Sequence, residues 1–268
     1  FGGLAVTDDM NMGGVAGYMN LRDRTVACIK AGCDMFLFPA LPYAYDVLVA
    51  AVRSGELAEE RVTDAARHVL EFKARLNLHT GQLVGRTPTQ VERKKFDCAA
   101  RDMAEKSLVR VRDVNGVLPL RLKAGAKVLT VTVTNDRHEL PEVDQELEAR
   151  GFRVRHIVAD NYGCVDKFVG EVDAIFVNFT FKANWGVGSP RSIGPHNRMF
   201  MNGFHMEHPC VVFTSFGSPY HLRQFSTLPN LINTHSGSPG SQRAAVAAWF
   251  GEIPVAGKSP VGDLERIF

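Results

Sequence analysis

No apolar run in this chain approaches the ~20 residues that cross a bilayer as a helix, so a helical membrane span is not expected. Net charge is nearly absent as well. Lys and Arg number 31 against 29 Asp and Glu, a formal balance of +2. That leaves no electrostatic footprint for nucleic acid or an anionic membrane surface. The Gly-x-Gly-x-x-Gly fingerprint of dinucleotide sites is missing after every apolar run; Gly186-x-Gly188 alone points to a plain loop. Cysteine is sparse and odd in number: Cys28, Cys33, Cys98, Cys164 and Cys210. Cys28 and Cys33 lack Cys-x-x-Cys spacing and have no His nearby, which excludes the usual zinc pattern. Buried thiols are therefore expected rather than disulfides, and a reducing compartment is favoured. No cofactor is expected. Internal repeats and low-complexity segments are absent. There is no initiating Met, and the chain opens inside an apolar segment, so the sequence is expected to be a piece of a longer protein. Any signal peptide would lie upstream.

What is present is the composition of a globular protein, 45% hydrophobic and 22% charged. Leu4–Thr7 is a short continuous apolar run, as in a parallel strand covered on both faces. Residues 8–20 are expected as a loop, with Gly13, Gly14 and Gly17 in it and Gly3 just upstream. Helices are predicted at Arg22–Ala31, ended by Gly32, and at Tyr43–Arg53, with a strand at Met35–Phe38 between them. From Glu59 to Leu76, Val62, Ala65, Ala66, Val69, Leu70 and Lys73 recur at helical spacing. Residues 77–97, with Gly81, Gly85 and Pro88, break that rhythm and mark a domain boundary; a helix near Phe96–Lys106 follows.

After Leu108 strands alternate with helices. Strands are predicted at Lys127–Thr134, Arg153–Val158, Asp173–Phe179, Cys210–Ser215 and Leu231–Thr234. Helices are predicted at Glu139–Arg150, Cys164–Gly170, His196–His205 and Ser238–Phe250. This alternation implies a mainly parallel sheet with helices on both faces.

The chemistry-bearing segment is Gly3-Leu4-Ala5-Val6-Thr7-Asp8-Asp9-Met10-Asn11-Met12-Gly13-Gly14. Its apolar stretch delivers the Asp8 carboxylate into a loop of small residues. In a parallel barrel the carboxyl edge of the strands is the active-site face. A strand-end Asp can equally cap a turn or the next helix. Among other groups, His205 and His208 are three apart and could share a helix face, but with no third ligand in sequence a metal is not expected. His68 sits between core positions of its helix, which suits a surface or interface role. Lys182, Arg191, Arg198 and Trp185 could meet a sugar or an anion; for Trp185 an interface anchor is the favoured role.

Thr7-Asp8-Asp9-Met10-Asn11-Met12-Gly13-Gly14 resembles the nucleophile segment of glycoside hydrolase family 3, in its β-N-acetylhexosaminidase branch. Ala31-Gly32-Cys33-Asp34-Met35-Phe36-Leu37, Ala51-Val52-Arg53-Ser54-Gly55-Glu56-Leu57, Ala104-Glu105-Lys106-Ser107-Leu108-Val109, Leu118-Pro119-Leu120 and Gly257-Lys258-Ser259-Pro260-Val261 resemble further family segments in the right order. The resemblance implies the C-terminal part of a (β/α)₈ TIM barrel followed by an α/β sandwich with a flavodoxin-like parallel sheet. Its divisions would be residues 1–80 (strands 7 and 8 of the catalytic barrel), a linker at 81–107, and the sandwich at 108–268. Asp8 is then the nucleophile of a retaining, exo-acting β-N-acetylhexosaminidase, attacking the anomeric carbon of a terminal β-linked sugar. Asp9 would contact substrate or make supporting hydrogen bonds, helix capping being the alternative, and Met12 would line the sugar pocket unless it merely packs. A Glu acid from the second domain, as in the β-glucosidase branch, is disfavoured because Ala174–Met206 holds no Asp or Glu. That span includes Lys182–Asn197, the loop expected to reach toward the barrel. The hexosaminidase branch uses a His–Asp pair upstream of strand 7. The expected partners are a carbohydrate substrate and the N-terminal barrel portion of the same protein, without which these residues would be inactive and prone to associate. A β-glucosidase of the same family and a non-catalytic α/β protein that binds carbohydrate or a partner are the alternatives.

Overall fold

The computed structural model describes residues 1–81, 85, 87–134, 139–159, 165, 167–181 and 208–262. The chain divides into two compact units, Phe1–Thr87 and Pro88–Phe268. It is an α/β protein.

The first unit runs β1 (Val6–Asp9), α1 (Gly13–Ala16), α2 (Leu21–Lys30), β2 (Met35–Leu37), α3 (Leu41–Arg53), α4 (Glu59–Arg75) and a 3₁₀ turn at Leu78–Thr80. β1 and β2 pair in parallel, Val6 opposite Met35 and Asp9 opposite Leu37, with one irregularity between. The Asn20 side chain opens α2 by accepting from the Asp23 N–H at 2.9 Å. Gly32 follows the helix at φ 104°, a conformation in which a Cβ is strained. The core is small. Val26, Ile29, Ala51 and Leu57 are buried together, and Phe36 packs against them. Strand side chains alternate, so with Phe36 on the helix side, Met35 and Leu37 point away and are 40% and 41% exposed. The first strand lies two residues later than its apolar run predicts, reaching through Asp9. The expected loop 8–20 contains the one-turn α1. On α4 only Ala65 of the predicted helical stripe is buried, while Leu70 is 65% exposed.

The second unit runs α5 (Gln90–Lys106), β3 (Val109–Asp113), β4 (Lys127–Thr134), α6 (Pro141–Ala149), β5 (Arg153–Val158), β6 (Ala174–Thr180), β7 (Val211–Ser215), a 3₁₀ segment (Pro219–Phe225), β8 (Asn230–Asn233) and α7 (Pro239–Trp249). Its sheet has the order β3-β8-β7-β6-β4-β5. All pairings are parallel except β3 with β8. The sheet is therefore mixed, and β3 is a strand that was not predicted. Much of the segment expected as linker is α5, started by a capping box in which Thr89 and Glu92 satisfy each other's backbone N–H. Residues on the two faces of the sheet feed two separate cores. Val128, Phe176, Val212 and Ile232 pack with α5, α6 and α7. Val131, Val177, Phe179 and Phe213 pack with Val165, Phe168, Leu222 and Phe225 on the other face. The predicted helix Cys164–Gly170 lies partly, and His196–His205 wholly, outside the described residues. Among the described residues no helix is long and apolar enough to cross a membrane.

Candidate active site

Pairing with β2 fixes where Asp8 points. Along β1, Val6 and Asp8 are exposed while Thr7 and Asp9 are half-buried, the alternation of a strand covered on one face. Asp8 thus stands next to the carboxyl end of a parallel strand, exposed on the same face as Val6. Its Oδ1 accepts the Asp9 N–H at 2.8 Å.

Side-chain and backbone hydrogen bonds tie the two strand ends into one rim. Thr7 Oγ1 accepts the Leu37 N–H at 3.2 Å, and the Met10 N–H reaches the Leu37 carbonyl at 3.4 Å. Asn11 Nδ2 donates to the Phe38 carbonyl at 3.3 Å. Phe38 sits at φ 47°, an uncommon left-handed conformation for a bulky residue, at the start of the loop that Asn11 holds. Asp9 does not cap α1: the N-cap residue is Met12, which makes no side-chain cap. The Asp9 carboxylate instead accepts the Asn11 N–H at 2.8 Å, holding the turn after β1. Met12 is 43% exposed, whereas Met10 is buried at 4%. Met10 Sδ lies 3.8 Å from Cys28 Sγ. Burial, with Cys33 nearby, pushes the Cys28 thiol up, away from the thiolate.

At the opposite end of the same strands is a group that sequence reasoning left without a role. The side chain of Asp34 is only 3% exposed. Its Oδ2 accepts the Ala5 N–H at 3.0 Å, and Oδ1 lies 3.1 Å from both Arg61 Nη2 and His68 Nδ1. Burial works against the charge, but these hydrogen bonds outweigh it and hold the carboxyl below its usual range. Arg61 also donates to the carbonyls of Ile29 and Cys33 at 3.0 and 2.9 Å. Asp34 therefore joins α4 to the entry of both strands and fixes the register that presents Asp8. The visible signal was a lone acid leading into an apolar strand, a residue type rarely buried without a partner. The His68 side chain, 41% exposed, meets Asp34 within this unit.

Among the other expected groups, His208 is buried. Its Nδ1 lies 3.1 Å from the Cys210 N–H and its Nε2 3.0 Å from the Val172 carbonyl, so backbone groups occupy both ring nitrogens. His196, His205, Trp185, Arg191, Arg198 and the Lys182–Asn197 loop lie outside the described residues. Among the described residues no three His, Cys, Asp or Glu side chains converge as metal ligands. Cys28, Cys33 and Cys210 are half-buried and Cys98 is exposed, all four as free thiols, so full burial is corrected for these four; Cys98 lies on a solvent-facing part of α5.

Residues 1–72 match the family model of the glycosyl hydrolase family 3 N terminal domain. A beta-N-acetylglucosaminidase/beta-glucosidase of Cellulomonas fimi is 28% identical over 286 aligned positions, covering 97% of this chain and 49% of its own length. The beta-glucoside phosphorylase BglX superposes at TM-score 0.75 with 24% identity, over 96% of this chain and 48% of the phosphorylase. A glycoside hydrolase family 3 beta-N-acetylglucosaminidase from Paenibacillus sp. str. FPU-7 does so at TM-score 0.75 with 20% identity, over 100% and 52%. The chain spans about half the length of each of these relatives.

Proposed function

We propose, from this kinship with glycoside hydrolase family 3, that Asp8 is the nucleophile of a retaining β-N-acetylhexosaminidase. One observation carries the proposal: Asp8 stands exposed by the carboxyl end of a parallel strand, on the face that the helices leave bare. If β1 and β2 are strands of a (β/α)₈ barrel with α2, α3 and α4 outside, that face is the lumen and that edge is the catalytic mouth. The second unit is then the α/β sandwich of such an enzyme. The divisions proposed are residues 1–80 for the barrel portion, 81–107 for the linker and 108–268 for the sandwich.

The chemistry follows from the carboxylate. A carboxylate oxygen is a nucleophile able to attack a sugar's C1. An acid protonates the departing oxygen, a glycosyl–Asp8 ester forms, and water then cleaves it with overall retention. Asp9 holds the turn that aims Asp8, and exposed Met12 lines the sugar pocket. Two strands cannot enclose a sugar or supply the acid. Activity is therefore proposed for Asp8 together with complementary β/α units carrying a His–Asp acid, and the 268 residues alone are expected to be inactive. The Cellulomonas relative's double name makes a β-glucosidase the second reading.

A 2-deoxy-2-fluoro glycoside used on the protein completed with those units tests the assignment. A peptide mass shift on Asp8, abolished with turnover in Asp8→Asn, is the expected result. Labelling at another carboxylate, or full activity in Asp8→Asn, refutes it. Aryl N-acetylglucosaminides turning over faster than aryl glucosides support the hexosaminidase branch, and the reverse supports the second reading.

A further inference from the structure

Three sulfur atoms meet in the first unit, on residues that the Asp8 chemistry does not use. Cys28 Sγ lies 3.8 Å from Met10 Sδ, and the Cys33 side chain hydrogen-bonds with the same Cys28 thiol. Cys28 is thus the common neighbour of a thioether and a second thiol.

The backbone explains the meeting. Helix α2 ends in a Schellman turn. The Cys33 N–H donates to the Cys28 carbonyl at 3.0 Å, the Gly32 N–H donates to the Ile29 carbonyl at 3.1 Å, and Gly32 takes a positive φ. The residues at the two ends of such a turn bring their side chains together, usually as an apolar contact. Here both are cysteine. Arg61 holds the turn from outside, through the carbonyls of Ile29 and Cys33. Met10 arrives from the turn after β1, where its N–H is bound to the Leu37 carbonyl. Backbone contacts therefore place all three side chains, and little ordering is left for a ligand to impose.

The donor set is soft, which favours copper(I) over magnesium or calcium. Zinc asks for four tetrahedral ligands, and Asp34, next to Cys33 in sequence, has its oxygens engaged by the Ala5 N–H, Arg61 and His68. Copper(I) is satisfied by two or three sulfurs. Metal–sulfur bonds of about 2.3 Å in a planar three-sulfur site set the sulfurs about 4 Å apart. The observed 3.8 Å between Cys28 and Met10 meets that spacing. Cys28 and Cys33 are half-buried, within reach of an ion from solvent, while Met10 at 4% exposure closes the inner side.

We propose that Cys28, Cys33 and Met10 form a copper(I) site in the first unit. Binding replaces the two S–H bonds with two copper–thiolate bonds and releases two protons to solvent. The Met10 thioether donates a lone pair and stays neutral, and the copper keeps its oxidation state. The bound ion ties α2 to the turn after β1. The site stands on this unit's own geometry and does not depend on the role of Asp8.

Anaerobic titration of the reduced 268-residue chain with copper(I), in competition with the chelator bicinchoninate, should show one ion held per chain. X-ray absorption should find sulfur neighbours alone, at about 2.3 Å. Affinity should rise with pH, since binding releases protons. Met10→Leu conserves volume and should keep the fold. It should weaken binding by about tenfold, a loss near 1.4 kcal/mol. Cys28→Ser and Cys33→Ser should each weaken it by about a hundredfold or more, while Cys98→Ser, Cys164→Ser and Cys210→Ser leave it unchanged. Copper retained in Cys28→Ser, or lost in Cys98→Ser, overturns the proposal. So do unchanged affinity in Met10→Leu, nitrogen or oxygen neighbours in the spectrum, and complete loss of the ion to the chelator.

Discussion

The two units differ in how much of their own surface they cover. In Pro88–Phe268 every residue of β6 and β7 is buried, and separate cores lie against the two faces of the sheet. In Phe1–Thr87 a two-stranded sheet is covered on one face only, over a cluster of four buried apolar side chains. Val6, Met35 and Leu37 are each at least 40% exposed on the other. Buried apolar area is the main favourable term in folding, so the second unit carries its own stability. The first leans on the polar cluster around Asp34. The lesson is a division of labour within one chain: the exposed face that carries Asp8 is also the face without a core of its own. Opening free energies should differ accordingly.

The largest expected effect is in the covered unit. Trp249 is fully buried, stacks on Phe176 at a ring separation of 4.5 Å and donates to Thr214 Oγ1 at 3.0 Å. Trp249→Ala should cost about 3 to 5 kcal/mol, read from urea unfolding. Hydrogen exchange in α2 and α3 should stay at its original level. Equal loss of protection there would show one cooperative block and break the comparison.

Next in size is the polar cluster. Asp34→Ala leaves Arg61 without its carboxylate and should cost about 3 kcal/mol in the first unit, with β4 and β6 protection unchanged. The same carboxyl sets an acid limit. Its folded pKa is depressed, so its contribution is complete above the unfolded value of ~3.9 and is lost as pH falls through the folded one. Above about pH 4 the first unit's stability should therefore be flat with respect to this group.

Strand β4 was legible to the residue because a buried parallel strand is a continuous apolar or β-branched run with clear ends; β5 keeps its expected bounds as well, although it is an edge strand with Arg153, Arg155 and His156 exposed. β3 was not legible. Val109-Arg110-Val111-Arg112-Asp113 carries charge at alternate positions, and Arg112 is nonetheless buried at 5%. Its guanidinium donates to the carbonyls of Phe225 and Ser226, more than a hundred residues away. The rim around Asp8 was legible because its residues are contiguous in sequence. The Asp34 cluster was not, since Ala5, Arg61 and His68 come to it from 27 to 34 residues away, and no local pattern encodes that distance.

The smallest effects are pH-dependent and belong to the second unit alone. His221 is fully buried, with Nε2 2.8 Å from Ser215 Oγ and no partner for Nδ1 among the described residues. Burial pushes its pKa down to about 4. The unfolded chain, with an ordinary value near 6.5, therefore binds the proton that the folded state refuses. Its contribution is complete above about pH 6.5 and falls by roughly 2 to 3 kcal/mol as pH drops toward 4. His156 has the opposite sign. Its hydrogen bond to Asp144, Nδ1 to Oδ2 at 2.9 Å, raises its pKa against the opposing effect of burial. That stability is complete below about pH 6.5 and is lost as pH rises through the raised value, about 1 kcal/mol for a partly exposed pair. Between them the two histidines place a maximum near pH 6.5 in the second unit. Both tryptophans, Trp185 and Trp249, belong to the second unit, so indole fluorescence during urea unfolding follows that unit alone. His156→Gln should remove the decline above pH 6.5 and leave the acid side intact, while His221→Gln should flatten the acid side only. A maximum that survives both substitutions would assign the pH response to other groups.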